Sequence, residues 1–197
     1  QIAADLATPE RMNRLLQGDV GAGKTLVAFL SALIVIEAGG QAVMMAPTEI
    51  LARQHLSALA PLARAAGVRV EILTGRDKGA ERAAKLADLA AGRIALLVGT
   101  HAVFQKGVDF ADLRLAIIDE QHRFGVAQRM ELGAKGQGVD VLVMTATPIP
   151  RSLSLAQYGD MDVSILDEKP PGRKPVQTVL VSAGRIDEVI EHLRRAI

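Results

Sequence analysis

The chain has 197 residues, 49% of them hydrophobic and 23% charged, and its 23 Lys and Arg against 22 Asp and Glu leave a net charge of +1. This composition excludes a disordered chain, and the absence of cysteine excludes a disulfide scaffold, a thiolate zinc site and a cysteine nucleophile. The longest apolar run, Leu26 to Ile36, is far shorter than the roughly 20 residues of a membrane helix, so we expect no membrane partner. The chain starts at Gln1 without a secretory leader, and we expect it to be part of a longer protein.

Short β-rich runs alternate with amphipathic helical stretches along most of the chain. This alternation predicts an α/β fold with a mostly parallel sheet and helices on both faces. The predicted strands are Leu15–Gln17, Ala42–Ala46, Val68–Leu73, Ile94–Gly99, Leu113–Asp119 and Val139–Thr145. The helix after Pro47 contains Pro61, which predicts a kink or a break at that point.

The segment Lys169–Pro175 contains three prolines and a glycine, a composition typical of a linker. Beyond it the pattern predicts a strand over Val176–Val181 and an amphipathic helix over Gly184–Ile197. One strand and one helix cannot bury an apolar face alone. We therefore expect a first domain over residues 1–168, and over residues 169–197 the linker with the truncated start of a second domain.

A glycine-rich motif lies between the first predicted strand and the helix that follows it. It consists of Gly18, Asp19, Val20, Gly21, Ala22, Gly23, Lys24 and Thr25, a complete G-x-x-x-x-G-K-T. In such a loop the backbone amides bind nucleotide phosphates, Lys24 reaches the β and γ phosphates, and Thr25 holds Mg²⁺. One alternative is a plain glycine-rich turn. Another is a dinucleotide-binding loop beginning at Gly21, but it would leave Lys24 unexplained and put Leu26 where a small residue belongs.

The apolar run Leu115–Ile118 ends in two carboxylates, Asp119 and Glu120. In a nucleotide hydrolase Asp119 would bind Mg²⁺ through water, and Glu120 would orient and deprotonate the attacking water. The alternative is a solvated strand end. A GTPase would need an Asn-Lys-x-Asp guanine-binding motif, but the only asparagine is Asn13, ahead of the phosphate loop. These residues predict Mg²⁺ and a nucleotide other than GTP as the cofactors.

Five segments, in order, resemble the motifs of superfamily 2 helicases. They are Gly18–Thr25, Ala46–Glu49, Gly99–Ala102, the DExH box Asp119–His122, and Thr145–Pro148. A closer resemblance is to the RecG family of bacterial branch-migrating helicases. It is found in Asp119–Val126, in Thr145–Leu153, and in Tyr158–Val163 through Pro170–Pro175. The resemblance covers nearly the whole chain. It implies a RecA-like motor domain of the bacterial cytoplasm that hydrolyses Mg-ATP to translocate on branched DNA in recombination and repair, alongside a second motor domain and a wedge domain.

The resemblance also implies roles for individual residues. Coupling of the nucleotide state would involve Gln121, His122, Thr145 and Thr147, with the Thr145 strand inserted between the phosphate-loop strand and the Asp119 strand. Contacts with DNA phosphates would involve Pro47, Thr48, Thr74, Gly75, Thr100 and His101. Further candidate phosphate partners on the same edge are Arg53, Arg76 and Lys106, for which plain solvation is the alternative. Ordinary turn and strand-end chemistry stays open as the alternative for these residues, as does a helix-start role for His122.

The arginine-finger motif of a second motor domain, Q-x-x-G-R-x-G-R, does not occur in the sequence, and Gly172–Lys174 in the linker does not replace it. We therefore expect the 197-residue chain alone to be a weak or inactive ATPase. Two other functions stay open. One is the motor of a transcription-repair coupling factor, which has Glu in place of Gln121. The other is an ATP-binding switch module without motor action.

Overall fold

The computed structural model describes residues 1–119, 138–147, 161–168 and 178–196. The helices are α1 (Ile2–Asp5), α2 (Lys24–Glu37), α3 (Glu49–Ala65), α4 (Gly79–Ala90) and α5 (Ile186–Ala196), with 3-10 turns at His101–Phe104 and Ala183–Arg185. The strands are β1 (Asn13–Gly18), β2 (Gln41–Met45), β3 (Val70–Leu73), β4 (Leu96–Gly99), β5 (Leu113–Asp119), β6 (Asp140–Thr145) and β7 (Asp162–Leu166).

The seven described strands form one sheet in the order β3-β4-β2-β5-β6-β1-β7. Every described pair is parallel, which confirms the predicted α/β class. Strand β6 lies between β1 and β5, as the family resemblance implied. Because all the strands run the same way, their carboxyl ends meet at one edge of the sheet. The segments after β1 to β6 therefore lie along a common edge.

Side chains of the central strands alternate between two apolar layers. On β2, Ala42 and Met44 pack with buried residues of α2 and α3, whereas Val43 and Met45 face the other way. That second layer includes Leu89 of α4 and Phe104 of the 3-10 turn. The sheet thus has helical elements on both faces, as predicted, and its strands are buried on both sides as parallel sheets require.

Strand β7 was not predicted from the sequence. Its outward residues include Ile165, whose exposed fraction is 64%, whereas the inward Ser164 is polar and buried. The Ser164 hydroxyl accepts a hydrogen bond from Arg14 at 3.0 Å and donates one to Gln1 at 2.6 Å. The apolar pattern is therefore reversed on this edge strand, and periodicity alone could not identify it.

Helix α3 continues through Pro61, so a break does not occur there, and the predicted alternative of a kink stays a prediction. Pro61 is exposed and lies in the last part of the helix. The buried side chains Ala52, Leu59 and Ala63 hold α3 against the sheet on both sides of the proline. This packing compensates for the hydrogen bond that proline cannot donate.

The predicted strand over Val176–Val181 is also not observed in its described part, because residues 178–181 form no strand. A strand needs a neighbour to complete its hydrogen bonds, and no described strand pairs with this segment. The predicted helix is confirmed as α5. The linker Lys169–Pro175 lies outside the described residues, and the domain boundary at residue 168 stays a prediction.

Gly99 is required by close packing at the end of β4. A β-carbon there would overlap the Leu73 carbonyl oxygen and the Val103 side chain. We expect Gly99→Ala to lower the free energy of unfolding by about 3 kcal/mol, as overpacking of a core does. The control is Gly75→Ala, because a β-carbon at Gly75 has nothing within 4 Å. Denaturant unfolding of both variants checks this, and equal midpoints would contradict it.

Candidate nucleotide and nucleic-acid site

The strand order divides the carboxyl edge of the sheet into two neighbouring halves. Strands β1, β6 and β5 are adjacent and carry the predicted phosphate loop, Thr145 and Asp119. Strands β2, β4 and β3 are adjacent and carry the predicted DNA contacts. The two halves meet where β2 pairs with β5. We call them the nucleotide half and the DNA half.

The phosphate loop connects β1 to the first turn of α2. Gly21 and Gly23 adopt left-handed backbone angles, with φ of 83° and 91°, which favour glycine. A β-carbon on Gly23 would have no atom within 4 Å, so the space beside the loop is open. At Gly18, by contrast, a β-carbon would lie 3.0 Å from the Leu166 β-carbon of strand β7. The loop is thus packed against β7 at Gly18 and open beside Gly23.

Lys24 begins α2, and its ammonium is already held inside the loop. Its Nζ donates hydrogen bonds to the carbonyl oxygens of Gly18 at 2.8 Å and Asp19 at 2.9 Å. The Asp19 carboxylate in turn accepts a hydrogen bond from the Val20 amide at 2.7 Å. The positive end of the α2 dipole and this ammonium lie together at one loop, a combination that suits an anion such as a polyphosphate.

Asp119 lies at the end of β5 and contacts a residue that was not predicted from the sequence. Its Oδ2 is 2.6 Å from Nε2 of His55 on helix α3, and the two side chains are only 14% and 12% exposed. His55 is 64 positions away from Asp119 in the chain. No local spacing signals such a contact, because it depends on how α3 packs on the sheet.

The residues present fit a magnesium ion bound together with nucleotide phosphates. Mg²⁺ uses oxygen ligands and takes one or two carboxylates beside phosphates and waters. Thr25 in the first turn of α2 and Asp119 supply a hydroxyl and a carboxylate in the nucleotide half. Within the described ranges no group of three or more His, Asp or Glu could hold a metal by itself. Glu120, Gln121 and His122 lie outside the described residues, so their roles stay predictions.

Thr145 ends strand β6 between the phosphate loop and Asp119. It is buried, and its hydroxyl oxygen accepts a hydrogen bond from the Thr147 amide at 3.2 Å. This bond shapes the turn after β6, which is the strand-end chemistry considered above. The position agrees with the expected placement of the strand, whereas the coupling roles of Thr145 and Thr147 stay predictions.

In the DNA half, Thr48 caps helix α3 by accepting a hydrogen bond from the Leu51 amide at 3.3 Å. Pro47 precedes it at the end of β2. Thr100 is buried where β4 passes into the 3-10 turn, and His101 beside it is exposed. The structure thus brings these residues to one edge and gives Thr48 a capping role; their contacts with DNA stay predictions.

The loop after β3 is held by a network around Asp77. The Thr74 amide and hydroxyl donate to Asp77 Oδ2 at 2.7 and 3.0 Å, and the Lys85 ammonium donates to Oδ1 at 2.7 Å. Burial by itself raises the pKa of Asp77, but the bonds from Lys85 and Thr74 outweigh burial and leave the pKa below its ordinary value. Thr74 is buried and shapes this loop, so Gly75 is the exposed member of the predicted pair.

Two of the three candidate phosphate partners are paired with one carboxylate. Glu49 Oε1 accepts from Arg53 at 2.9 Å, and Glu49 Oε2 lies 3.2 Å from Nε of Arg76. Their side chains remain 58% and 83% exposed. Lys106 is exposed in the loop after the 3-10 turn. Glu49 therefore holds two guanidinium groups at the edge of the sheet, in positions open to solvent.

The parallel sheet, the phosphate loop after β1 and the acidic end of β5 define the class of RecA-like phosphate-loop domains. A family model described as DEAD/DEAH box helicase matches residues 1–156. The chain belongs to this family. None of the helices in the described ranges is long and apolar enough to cross a membrane.

Within this family the chain is similar to proteins named ATP-dependent DNA helicase RecG. It is 50% identical to those of Pasteurella multocida and Bacillus subtilis, over all of this chain and 29% of each relative. A solved structure described as RecG bound to a three-way DNA junction matches with a TM-score of 0.85 and 48% identity, over 98% of this chain and 26% of that one. The chain thus spans less than a third of the length of these relatives.

Proposed function

We propose that the chain is the first motor domain of a RecG-type ATP-dependent DNA helicase of the bacterial cytoplasm. In this proposal it binds and hydrolyses Mg-ATP to drive translocation on branched or forked DNA, in recombination and repair. Its partners are then DNA, held without sequence preference, and the second motor domain and wedge domain of the full-length protein.

The observation that supports this proposal most directly is the division of the sheet edge. The phosphate loop follows β1 and Asp119 ends β5, with only β6 between these strands, and the exposed Arg53 and Arg76 lie beside the neighbouring strand ends. Guanidinium groups and strand-end amides bind phosphates without reading bases, which suits a motor that moves along any sequence. The likeness to helicases named RecG supports the branched substrate.

The experiment measures ATP hydrolysis by the full-length protein with a three-way junction, a linear duplex of equal length, or no DNA. We expect the junction to stimulate hydrolysis more than the duplex does. ATP binding without DNA-stimulated hydrolysis would contradict the motor function and favour a switch module. Equal stimulation by duplex and junction would contradict the branched substrate and favour a duplex translocase such as a transcription-repair coupling factor.

Removal of the Asp119 carboxylate provides a test of the metal site. We expect Asp119→Ala to weaken nucleotide binding mainly when Mg²⁺ is present, because the carboxylate is proposed to act through the water shell of the ion. Titrations of ATP with Mg²⁺ and with EDTA measure the two affinities. An identical loss of affinity in EDTA would point to a structural role for Asp119.

A further inference from the structure

The contact between His55 and Asp119 joins the two halves of the sheet edge. His55 lies on α3, which starts directly after the predicted DNA contacts Pro47 and Thr48, and Asp119 belongs to the nucleotide half. We infer that His55 positions the Asp119 carboxylate at the magnesium site and thereby links that site to the DNA-facing end of α3. This inference rests on the proposed function for the DNA link, but not for the contact itself.

The geometry of the contact determines how His55 orients the Asp119 carboxylate. An ionised carboxylate only accepts hydrogen bonds, so Nε2 of His55 is the donor in the 2.6 Å contact. The bond occupies Oδ2, and in this proposal Oδ1 of Asp119 faces the water shell of the ion. Both side chains are largely shielded from solvent, so few water molecules compete for this bond. Donors of this kind fix the orientation of a metal-binding carboxylate, and their loss typically weakens metal binding about 10- to 100-fold.

Helix α3 connects the DNA half with the His55–Asp119 hydrogen bond over a short distance. Glu49, which holds Arg53 and Arg76, lies six residues before His55, a distance of about 9 Å along the helix axis. Between them the buried Ala52 packs on the apolar layer of the sheet. A helix of this length moves as a unit over two turns. A phosphate that displaces the start of α3 would therefore displace His55, and with it the Asp119 carboxylate.

The experiment uses the full-length protein with three substitutions on α3. His55→Ala removes the hydrogen bond, and His55→Gln places an amide donor close to the position of Nε2. The matched control is Gln54→Ala, because Gln54 is the exposed neighbour of His55 on the same helix. Binding of a fluorescent ATP analogue is titrated with Mg²⁺ to obtain the half-saturating Mg²⁺ concentration, and binding is also measured in EDTA.

We expect His55→Ala to raise the half-saturating Mg²⁺ concentration about 10- to 100-fold, with affinity in EDTA unchanged. His55→Gln should restore most of the loss, and Gln54→Ala should match the unsubstituted protein. An unchanged Mg²⁺ requirement in His55→Ala would overturn the inference, as would an equal loss in EDTA. If His55→Ala does not fold, the comparison of His55→Gln with Asp119→Ala decides. A half-saturating Mg²⁺ concentration in His55→Gln as high as that in Asp119→Ala would then overturn the inference.

A second series repeats the Mg²⁺ titrations with a saturating three-way junction. We expect the junction to shift the half-saturating Mg²⁺ concentration of the unsubstituted protein and of Gln54→Ala, but to shift that of His55→Ala much less. A full shift in His55→Ala would overturn the link to DNA. Absence of any shift in the unsubstituted protein would contradict the coupled motor proposed above, whereas the DNA-free titrations would still decide the positioning role.

Discussion

Substitution of Lys24 by alanine is expected to abolish detectable ATP binding while leaving the fold intact. The Lys24 ammonium is held by the carbonyl oxygens of Gly18 and Asp19, directly beside the open space of the phosphate loop. A β,γ-phosphate offers charged acceptors in place of these neutral carbonyls, and charge-assisted bonds are about twice as strong. Alanine removes the charge from a site already formed by the backbone. Isothermal calorimetry with Mg-ATP measures the loss.

The control for Lys24→Ala is the same substitution at Lys78, an exposed residue at the start of α4. Lys78→Ala should bind ATP with the affinity of the unsubstituted protein. Thermal midpoints of both variants should agree with the unsubstituted protein, because alanine is a good helix former in the first turn of α2. Equal ATP affinity in Lys24→Ala and the unsubstituted protein would refute the assignment of the loop.

The parts of the fold that could be predicted are those encoded over short stretches of chain. Strands β2, β4, β5 and β6 are mostly apolar because most of their side chains are buried on both faces, and Gly21 and Gly23 of the phosphate loop have backbone angles that other residues rarely adopt. The sequence pattern did not predict strand β7, because its exposed edge position reverses the apolar pattern around Ser164. Of the kink or break predicted at Pro61, the break does not occur, because tertiary packing outweighs the local effect of proline.

The candidate site was predicted in its local parts and missed in its long-range part. Lys24 and Asp119 are recognisable because each belongs to a motif contained in one strand end and the turn after it. The Glu49–Arg53 pair is local to α3, at i,i+4 spacing, but the His55–Asp119 contact and the Glu49–Arg76 pair arise only when α3 packs beside β5 and the loop after β3. Such contacts join residues whose separation in the chain carries no pattern. The His55–Asp119 contact also connects the nucleotide half with the DNA half.

Glu120→Gln is expected to separate nucleotide binding from hydrolysis in the full-length protein. In the sequence Glu120 follows Asp119, the last residue of β5 and the proposed carboxylate of the magnesium site. An amide keeps the shape and much of the polarity of the carboxyl group but cannot take a proton from the attacking water. Loss of a general base typically lowers turnover by at least about 100-fold. We therefore expect Mg-ATP affinity to survive in Glu120→Gln while steady-state hydrolysis falls by that factor.

The matched control for this prediction is Glu37→Gln, the same change at the exposed end of α2. Calorimetry gives the Mg-ATP affinity of each variant, and phosphate release with a three-way junction gives the turnover. Normal turnover in Glu120→Gln would mean that Glu120 is only a solvated acid at the strand end. A loss of Mg-ATP affinity as large as that of Lys24→Ala would mean that Glu120 contributes to nucleotide binding and not to proton transfer. A retained affinity with collapsed turnover, absent from Glu37→Gln, would support Glu120 as the general base, because it would show that the carboxylate acts in the transition state and not in the bound state.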